Sequence, residues 1–140
     1  MAQIDWGSVE IGQELPPLVK PAVSKRQLVM YAGASGDFNL IHTDVVTARA
    51  VGLPSIIAHG MLSMGFLGQY VGELAGDQGF VQRLKVRFSG MVFPGDMLTC
   101  RAKVLAKDEQ AHTITLTISA EREPDKPLTS GEAVLHLAQA

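Results

Sequence analysis

Five residues in the first half of the chain could carry out acid–base chemistry together. Asp37, Asn39 and His42 lie on one short segment, and His59 and Gly60 come directly before a long apolar stretch. A carboxylate and an imidazole can activate water and carry its proton. The first backbone N–H groups of a helix can stabilise a developing negative charge. The pattern therefore predicts proton transfer beside a polarised carbonyl.

Each of these residues can be given a role. Asp37 and His42 could hold one water between them, with Asp37 as the base and His42 orienting the water and shuttling its proton. Gly60 is predicted to offer its backbone N–H to the oxyanion, because it starts the helix and lets a ligand approach closely. Asn39 is predicted to stabilise the loop, and His59 to hold the loop that presents Gly60.

Two other chemistries are disfavoured by the sequence. Asp37, His42, Asp44 and His59 could converge, but there is neither a Cys pair nor a His-x-x-x-His spacing, so we predict no metal. The chain also lacks a G-x-S-x-G elbow, which argues against a serine nucleophile. Ser35, which precedes the acid, is predicted to support the site.

Two short helices should position the acid and the first histidine. Ser24 and Gln27 form a capping box for a helix that should end near residues 33–36. Thr43 is expected to cap a second helix that runs through Ala50 and is stopped by the glycine and proline that follow.

The third helix, over residues 60–74, is apolar nearly all round and is therefore predicted to be buried. Gly65, Gly68 and Gly72 fall on one of its faces, and each costs about 1 kcal/mol of helix propensity relative to alanine. The close approach of a sheet or of a ligand chain would offset this cost. The segment is too short and too interrupted by polar residues to span a membrane.

Strands dominate the second half of the chain. Residues 82–88 alternate, with one apolar face and one basic face formed by Arg83, Lys85 and Arg87. Further strands are predicted over residues 97–105, 112–120 and 128–137, and the Pro-broken segment 11–19 is at most an edge strand. Four antiparallel strands after one buried helix predict an α+β fold in which the sheet wraps around the helix.

Composition limits the possible functions. The chain has 140 residues, 46% hydrophobic and 19% charged, which is typical of one globular domain over residues 1–140. A net charge of −2 argues against non-specific nucleic-acid binding. Cys100 is the only cysteine, so no intrachain disulfide can form, and the N-terminus resembles no signal peptide. We predict a cytoplasmic, soluble protein.

Many of these residues together resemble the hydratase-2 signature of the MaoC-like (R)-specific enoyl-CoA hydratases and their dehydratase relatives. The resemblance rests on Tyr31-Ala32, Ser35-Gly36-Asp37, Asn39, Ile41-His42, Asp44, Ala48, Ile57-Ala58-His59-Gly60-Met61, Val86-Arg87-Phe88 and Pro94-Gly95-Asp96. It covers nearly the whole chain, and it implies the hot-dog fold, in which an antiparallel sheet wraps a long helix.

The resemblance also implies an activity. The enzyme would be a hydro-lyase of fatty acid metabolism that adds water syn to a trans-2-enoyl thioester and gives a (3R)-hydroxyacyl product, or runs in reverse. Asp37 and His42 would be the catalytic pair, and no cofactor would be needed. The substrate would be carried on coenzyme A or an acyl-carrier protein. Gly65 and Gly68 are candidates to line the acyl tunnel, and Arg87 is a candidate contact for the carrier phosphate.

Partners and rival functions follow from the same resemblance. Hot-dog domains normally form homodimers, and a heterodimer with a non-catalytic hot-dog subunit is the alternative. A hot-dog thioesterase or a non-catalytic acyl-binding subunit remain open as functions. The family has proline where this chain has Leu40, and losing that fixed φ is expected to loosen the loop between Asp37 and His42.

Overall fold

The computed structural model describes residues 3–138. Three α-helices and a 3₁₀ turn occupy mostly the first half: α1 Lys25–Ser35, the 3₁₀ turn Leu40–His42, α2 Val45–Ala50 and α3 Gly60–Ala75. Five strands form one sheet: β1 Leu18–Val19, β2 Phe80–Phe88, β3 Thr99–Asp108, β4 Thr113–Glu123 and β5 Lys126–His136. Their order is β1-β3-β4-β5-β2, and every neighbouring pair is antiparallel.

The hydrophobic core lies between α3 and the sheet. One face of α3 is buried, and it contacts all four long strands through apolar side chains that include Leu62, Phe66, Leu67, Tyr70, Val71 and Leu74. Alternate residues of the strands meet this face, because successive side chains of a strand point to opposite sides of the sheet. The predicted α+β arrangement, with a sheet wrapped around one long helix, is thus the observed one.

Two groups that ionise in water are buried in this core. Burial raises the pKa of Tyr70 to about 12, and its hydroxyl donates a 2.8 Å hydrogen bond to the Pro16 carbonyl. Burial likewise raises the pKa of the Cys100 thiol to about 11. A thiol that stays protonated at neutral pH is a poor nucleophile, so Cys100 is a core residue.

The prediction that α3 is buried holds for one face of the helix only. A strip of the helix that includes Met61, Gly65, Gln69 and Gly72 is exposed. An added Cβ would meet nothing within 4 Å at Gly65 or Gly72. No helix within residues 3–138 is long and apolar enough to cross a membrane.

The helix boundaries agree with the sequence except at one cap. Ser24 accepts the Gln27 N–H at 3.1 Å, and α1 ends before Gly36, as predicted. The cap of α2, however, is Asp44 and not Thr43, because the Asp44 carboxylate accepts the Thr47 N–H at 3.1 Å. Thr43 instead closes the preceding 3₁₀ turn through its own N–H.

Candidate active site

The segment that carries Asp37 is shaped by side chains bonding to nearby backbone. The chain leaves α1 at Gly36, whose φ of 76° lies in the left-handed region that glycine tolerates. Asp37 N–H donates to the Ser35 hydroxyl at 3.2 Å, and Asn39 N–H donates to Asp37 Oδ1 at 3.2 Å. The Asn39 side chain then accepts the Ile41 N–H at 3.1 Å and so begins the 3₁₀ turn. Ser35 and Asn39 thus hold the loop around the acid.

His42 ends that turn, and one hydrogen bond decides which of its ring nitrogens carries the hydrogen. Its Nδ1 lies 2.7 Å from the Ile57 carbonyl, and since a carbonyl can only accept, Nδ1 carries the hydrogen. In the neutral ring Nε2 then keeps its lone pair, and it lies 3.7 Å from Asp37 Oδ2. A single water can bridge two groups at this spacing. The Asp37 side chain is 52% exposed and that of His42 only 9%, so the pair lies at the boundary between solvent and the protein interior.

His59 lies directly behind this pair and is 2% exposed. Its ring stacks on that of His42, with centroids 3.8 Å apart and planes at 22°. Tyr31 also contacts the His59 ring in an edge-to-face arrangement, with centroids 4.8 Å apart and planes at 65°. His59 Nε2 lies 3.1 Å from the Asp37 backbone carbonyl, whereas Nδ1 is buried without a hydrogen-bond partner in the described chain.

Gly60 is the first residue of α3, and the side chain of His59 does not cap the helix. Within residues 3–138 no acceptor receives the Gly60 N–H, so it is available at the positive end of the helix dipole. A Cβ at Gly60 would lie 3.2 Å from the Phe88 ring. This crowding explains why glycine suits the position.

The other predicted site residues lie further from the pair. Gly68 faces Leu84, whose side chain is 3.7 Å from an ideal Cβ, and Gly65 borders open space. Arg87 is exposed and is the strand neighbour of Phe88, so its side chain leaves the opposite face of the sheet from Gly60. The structure therefore does not bring Arg87 to the catalytic pair.

The donor set is poorly arranged for a metal ion. Ligand atoms of Asp37, His42 and His59 lie within 4.8 Å of one another. The two histidine rings are nearly parallel, so their in-plane lone pairs run side by side and do not converge on one tetrahedral or octahedral centre. Asp44 is occupied by capping α2, and its hydrogen bond from the Thr47 hydroxyl lowers the pKa of its carboxyl group. A metal-free site stays a prediction.

Three features of the site were missed by sequence analysis. These are the stacking of His59 on His42, the contact of Tyr31 with His59, and the packing of Phe88 against Gly60. The alternation of residues 82–88 did place Phe88 on the same strand face as Leu84 and Val86. It carried no information on which turn of α3 that ring would meet.

A long helix wrapped by an antiparallel sheet, with an acid and a histidine in front of the helix N-terminus, defines a class of hot-dog hydratases and dehydratases. The chain matches the family described as MaoC like domain over residues 8–123. It therefore belongs to this family. The predicted family is thus confirmed.

Two relatives illustrate the match in sequence. The (R)-specific enoyl-CoA hydratase of Aeromonas caviae is 32% identical over 138 residues, which cover 93% of this chain and 96% of that protein. The peroxisomal hydratase-dehydrogenase-epimerase of Saccharomyces cerevisiae is 40% identical over 81 residues, 58% of this chain. Those residues are only 9% of that much longer protein.

A solved structure illustrates the match in fold. An R-hydratase from Pseudomonas aeruginosa, in the unliganded form, superposes with a TM-score of 0.88 at 25% identity. The match covers 99% of this chain and 88% of that one. The predicted hot-dog fold is confirmed, and the predicted enzyme class, a hydro-lyase of the hydratase type, agrees with the name of the Aeromonas caviae relative.

Proposed function

We propose that this protein is an (R)-specific enoyl-thioester hydratase that also catalyses the reverse dehydration of a (3R)-hydroxyacyl thioester. One observation carries the proposal: Asp37 Oδ2 and His42 Nε2 are 3.7 Å apart, beside a free helix N-terminus. The name of the Aeromonas caviae relative supports an enoyl-CoA substrate. The acyl chain would be carried on coenzyme A or on an acyl-carrier protein.

The first step forms the bond between oxygen and the β-carbon. A water that donates hydrogen bonds to Asp37 Oδ2 and His42 Nε2 has its lone pair free for the β-carbon. As its oxygen attacks, Asp37 takes one proton, and the π electrons move onto the thioester as an enolate. The Gly60 N–H donates to the enolate oxygen, an interaction that can lower a barrier by about 3–4 kcal/mol.

The second step returns the proton. His42 Nε2 relays it from Asp37 to the α-carbon, and the enolate electrons form the new C–H bond. Because one pair handles both the water and the proton, both add to the same face of the double bond. The atoms of water and substrate balance the reaction, so no cofactor is needed.

The acyl chain is proposed to extend along the exposed glycine strip of α3. Gly65 is five residues beyond Gly60, which is about 7.5 Å along a helix axis, and an added Cβ there would meet no neighbour within 4 Å. Small residues leave room for an extended chain. Arg87 remains a candidate only for a carrier phosphate that reaches the outer face of the sheet.

A homodimer is the proposed assembly. β2 is an end strand of the sheet, so its outward N–H and C=O groups can pair with a second copy. Sedimentation of the purified chain should give twice the monomer mass. A monomer that becomes active only with a second hot-dog subunit would instead support the heterodimer, and a fully active monomer would contradict both assemblies.

The test of the proposed reaction is product analysis after incubation with crotonyl-CoA. The expected products are (3R)-hydroxybutyryl-CoA with no release of free thiol. Free coenzyme A would identify the rival, a thioesterase. Binding of the thioester without turnover, on crotonyl-CoA, on longer enoyl-CoAs and on carrier-bound enoyl chains, would identify the non-catalytic acyl-binding subunit. The cytoplasmic location stays a prediction.

A further inference from the structure

His59 contacts or adjoins each of the three groups to which the reaction is assigned. Its ring stacks on His42, its Nε2 meets the Asp37 backbone carbonyl, and its own carbonyl leads into Gly60. Resting on the proposed function, we infer that His59 is a positioning residue that fixes both members of the catalytic pair. It does so as a neutral imidazole with its hydrogen on Nε2.

The contacts of His59 determine its tautomer. The Asp37 carbonyl can only accept, so Nε2, 3.1 Å away, carries the hydrogen. Nδ1 is then the bare nitrogen, and it is the buried side-chain atom that lacks a partner in the described chain. A proton on Nδ1 would be a buried donor without an acceptor, which costs free energy. The titratable groups near the ring are those of Tyr31, His42 and Asp37, whose carboxylate has an oxygen within 4.8 Å of a His59 nitrogen.

The stacking contact with His59 restrains the His42 ring in a direction that its own side-chain hydrogen bond does not. Its Nδ1–H bond to Ile57 fixes one point of the ring, about which the ring could still turn. The face of His59, 3.8 Å away, blocks that rotation on one side and keeps Nε2 directed to Asp37. The ring is itself held by the edge of Tyr31.

The hydrogen bond to the Asp37 carbonyl fixes the second member. Asp37 lies in an exposed loop, and its other backbone group donates only to the Ser35 hydroxyl. The buried Nε2–H therefore ties this loop to the start of α3. Misplacing a catalytic group by about 1 Å can cost about 100-fold in rate.

Three substitutions separate the two contacts. His59→Phe keeps a ring against His42 but loses the donor, His59→Gln keeps a donor at the ε position but loses the ring, and His59→Ala loses both. We expect kcat to fall about 100-fold in His59→Ala with KM changed less than about two-fold, and about 10-fold in each of the others. The control is His136→Gln, which changes a histidine stacked on Phe80 and should leave kcat unchanged.

The outcomes distinguish positioning from simple structural support. If the variants lose thermal stability while the folded fraction keeps its kcat, His59 is only structural and the inference is overturned. The same holds if Phe and Gln recover no more activity than Ala. An inactive wild type would count against the proposed function, and the inference about His59 would then be judged by its tautomer.

The tautomer can be measured on the wild-type protein without any assay. Long-range ¹H–¹⁵N spectra of the histidine rings at neutral pH should show His59 protonated on Nε2 alone and His42 on Nδ1 alone. A His59 ring that is protonated on Nδ1, or on both nitrogens, would overturn the inference. This measurement can overturn the inference even where a variant fails to fold.

Discussion

At the scale of single residues, the site depends on backbone groups that fix side chains. The Ile57 carbonyl decides which nitrogen of His42 is free, and Asn39 begins the turn that His42 ends. The sequence indicated Asp37 and His42 as a pair because their types and spacing match known chemistry. It could not indicate that His59 stacks on His42, since that contact depends on how two separate segments pack.

Leu40, where the family resemblance implies a proline, is predicted to be a position where proline would stabilise the fold. Leu40 is the first residue of the 3₁₀ turn, and no acceptor within residues 3–138 receives its N–H. Asn39 already has φ −57° and ψ 123°, a conformation that proline favours in the residue before it. Leu40→Pro should raise the free energy of unfolding by about 0.4–1 kcal/mol in urea titrations.

The matched control for that substitution is Ile41→Pro. Ile41 donates its N–H to Asn39 Oδ1, so proline there removes a hydrogen bond and should destabilise the protein. A loss of stability in Leu40→Pro as large as in Ile41→Pro would contradict the described turn.

Asp44 should make stability depend on pH in acid. Its hydrogen bond from the Thr47 hydroxyl holds the pKa of the carboxyl group below its ordinary value of 3.8. The stabilisation is therefore fully present above pH 3.8 and is lost as the pH falls through the lower pKa of the folded state. Asp44→Asn still caps α2 but cannot titrate. The free energy of unfolding in urea should be higher for wild type than for Asp44→Asn at pH 6, and the difference should shrink toward pH 2. A difference that stays constant with pH would contradict the lowered pKa of Asp44.

At the scale of elements, local sequence signals predicted the helix and strand boundaries well, but the apolar composition of α3 did not predict which of its residues are exposed. The Ser24 cap, the end of α1 at Gly36 and the alternation in β2 follow from neighbouring residues and agree with the structure. The composition of α3 indicated burial on all sides. Glycines count as apolar in such a pattern, yet Gly65 and Gly72 border open space.

Gly65→Ala is predicted to stabilise the helix and to alter substrate preference. An added Cβ meets nothing within 4 Å in this chain, so the gain in helix propensity is up to about 1 kcal/mol. If the acyl chain lies on this strip, kcat/KM for longer enoyl-CoAs should fall relative to crotonyl-CoA. Gly72→Ala is the control, with the same open surroundings but two turns further along α3. A Gly65→Ala variant that keeps the wild-type kcat/KM ratio of longer enoyl-CoAs to crotonyl-CoA would contradict the proposed tunnel.

At the scale of the whole molecule, the sheet and α3 support the segments that carry the candidate catalytic residues. The loop that bears Asp37 and His42 is joined to the segment before α3, because the Ile57 N–H donates to the Ile41 carbonyl. That segment is joined in turn to the connection between β2 and β3, because the Ala58 N–H donates to the Val92 carbonyl. These hydrogen bonds therefore hold the Asp37 carboxylate, the His42 imidazole and the free N–H of Gly60 in position relative to one another. The fold was predictable from the pattern of elements in the sequence. The hydrogen bonds that join these separate segments could be seen only in the tertiary structure.

The most direct test of the account is the rate of crotonyl-CoA hydration, followed as loss of enoyl absorbance, in wild type and in Asp37→Asn. Removing the base while keeping the shape of the side chain should lower kcat by about 10²–10⁴-fold. The control, Asp77→Asn, changes an exposed acid just after α3 and should match wild type. If Asp37→Asn hydrates crotonyl-CoA as fast as an active wild type, Asp37 is not the base and the proposed mechanism is wrong.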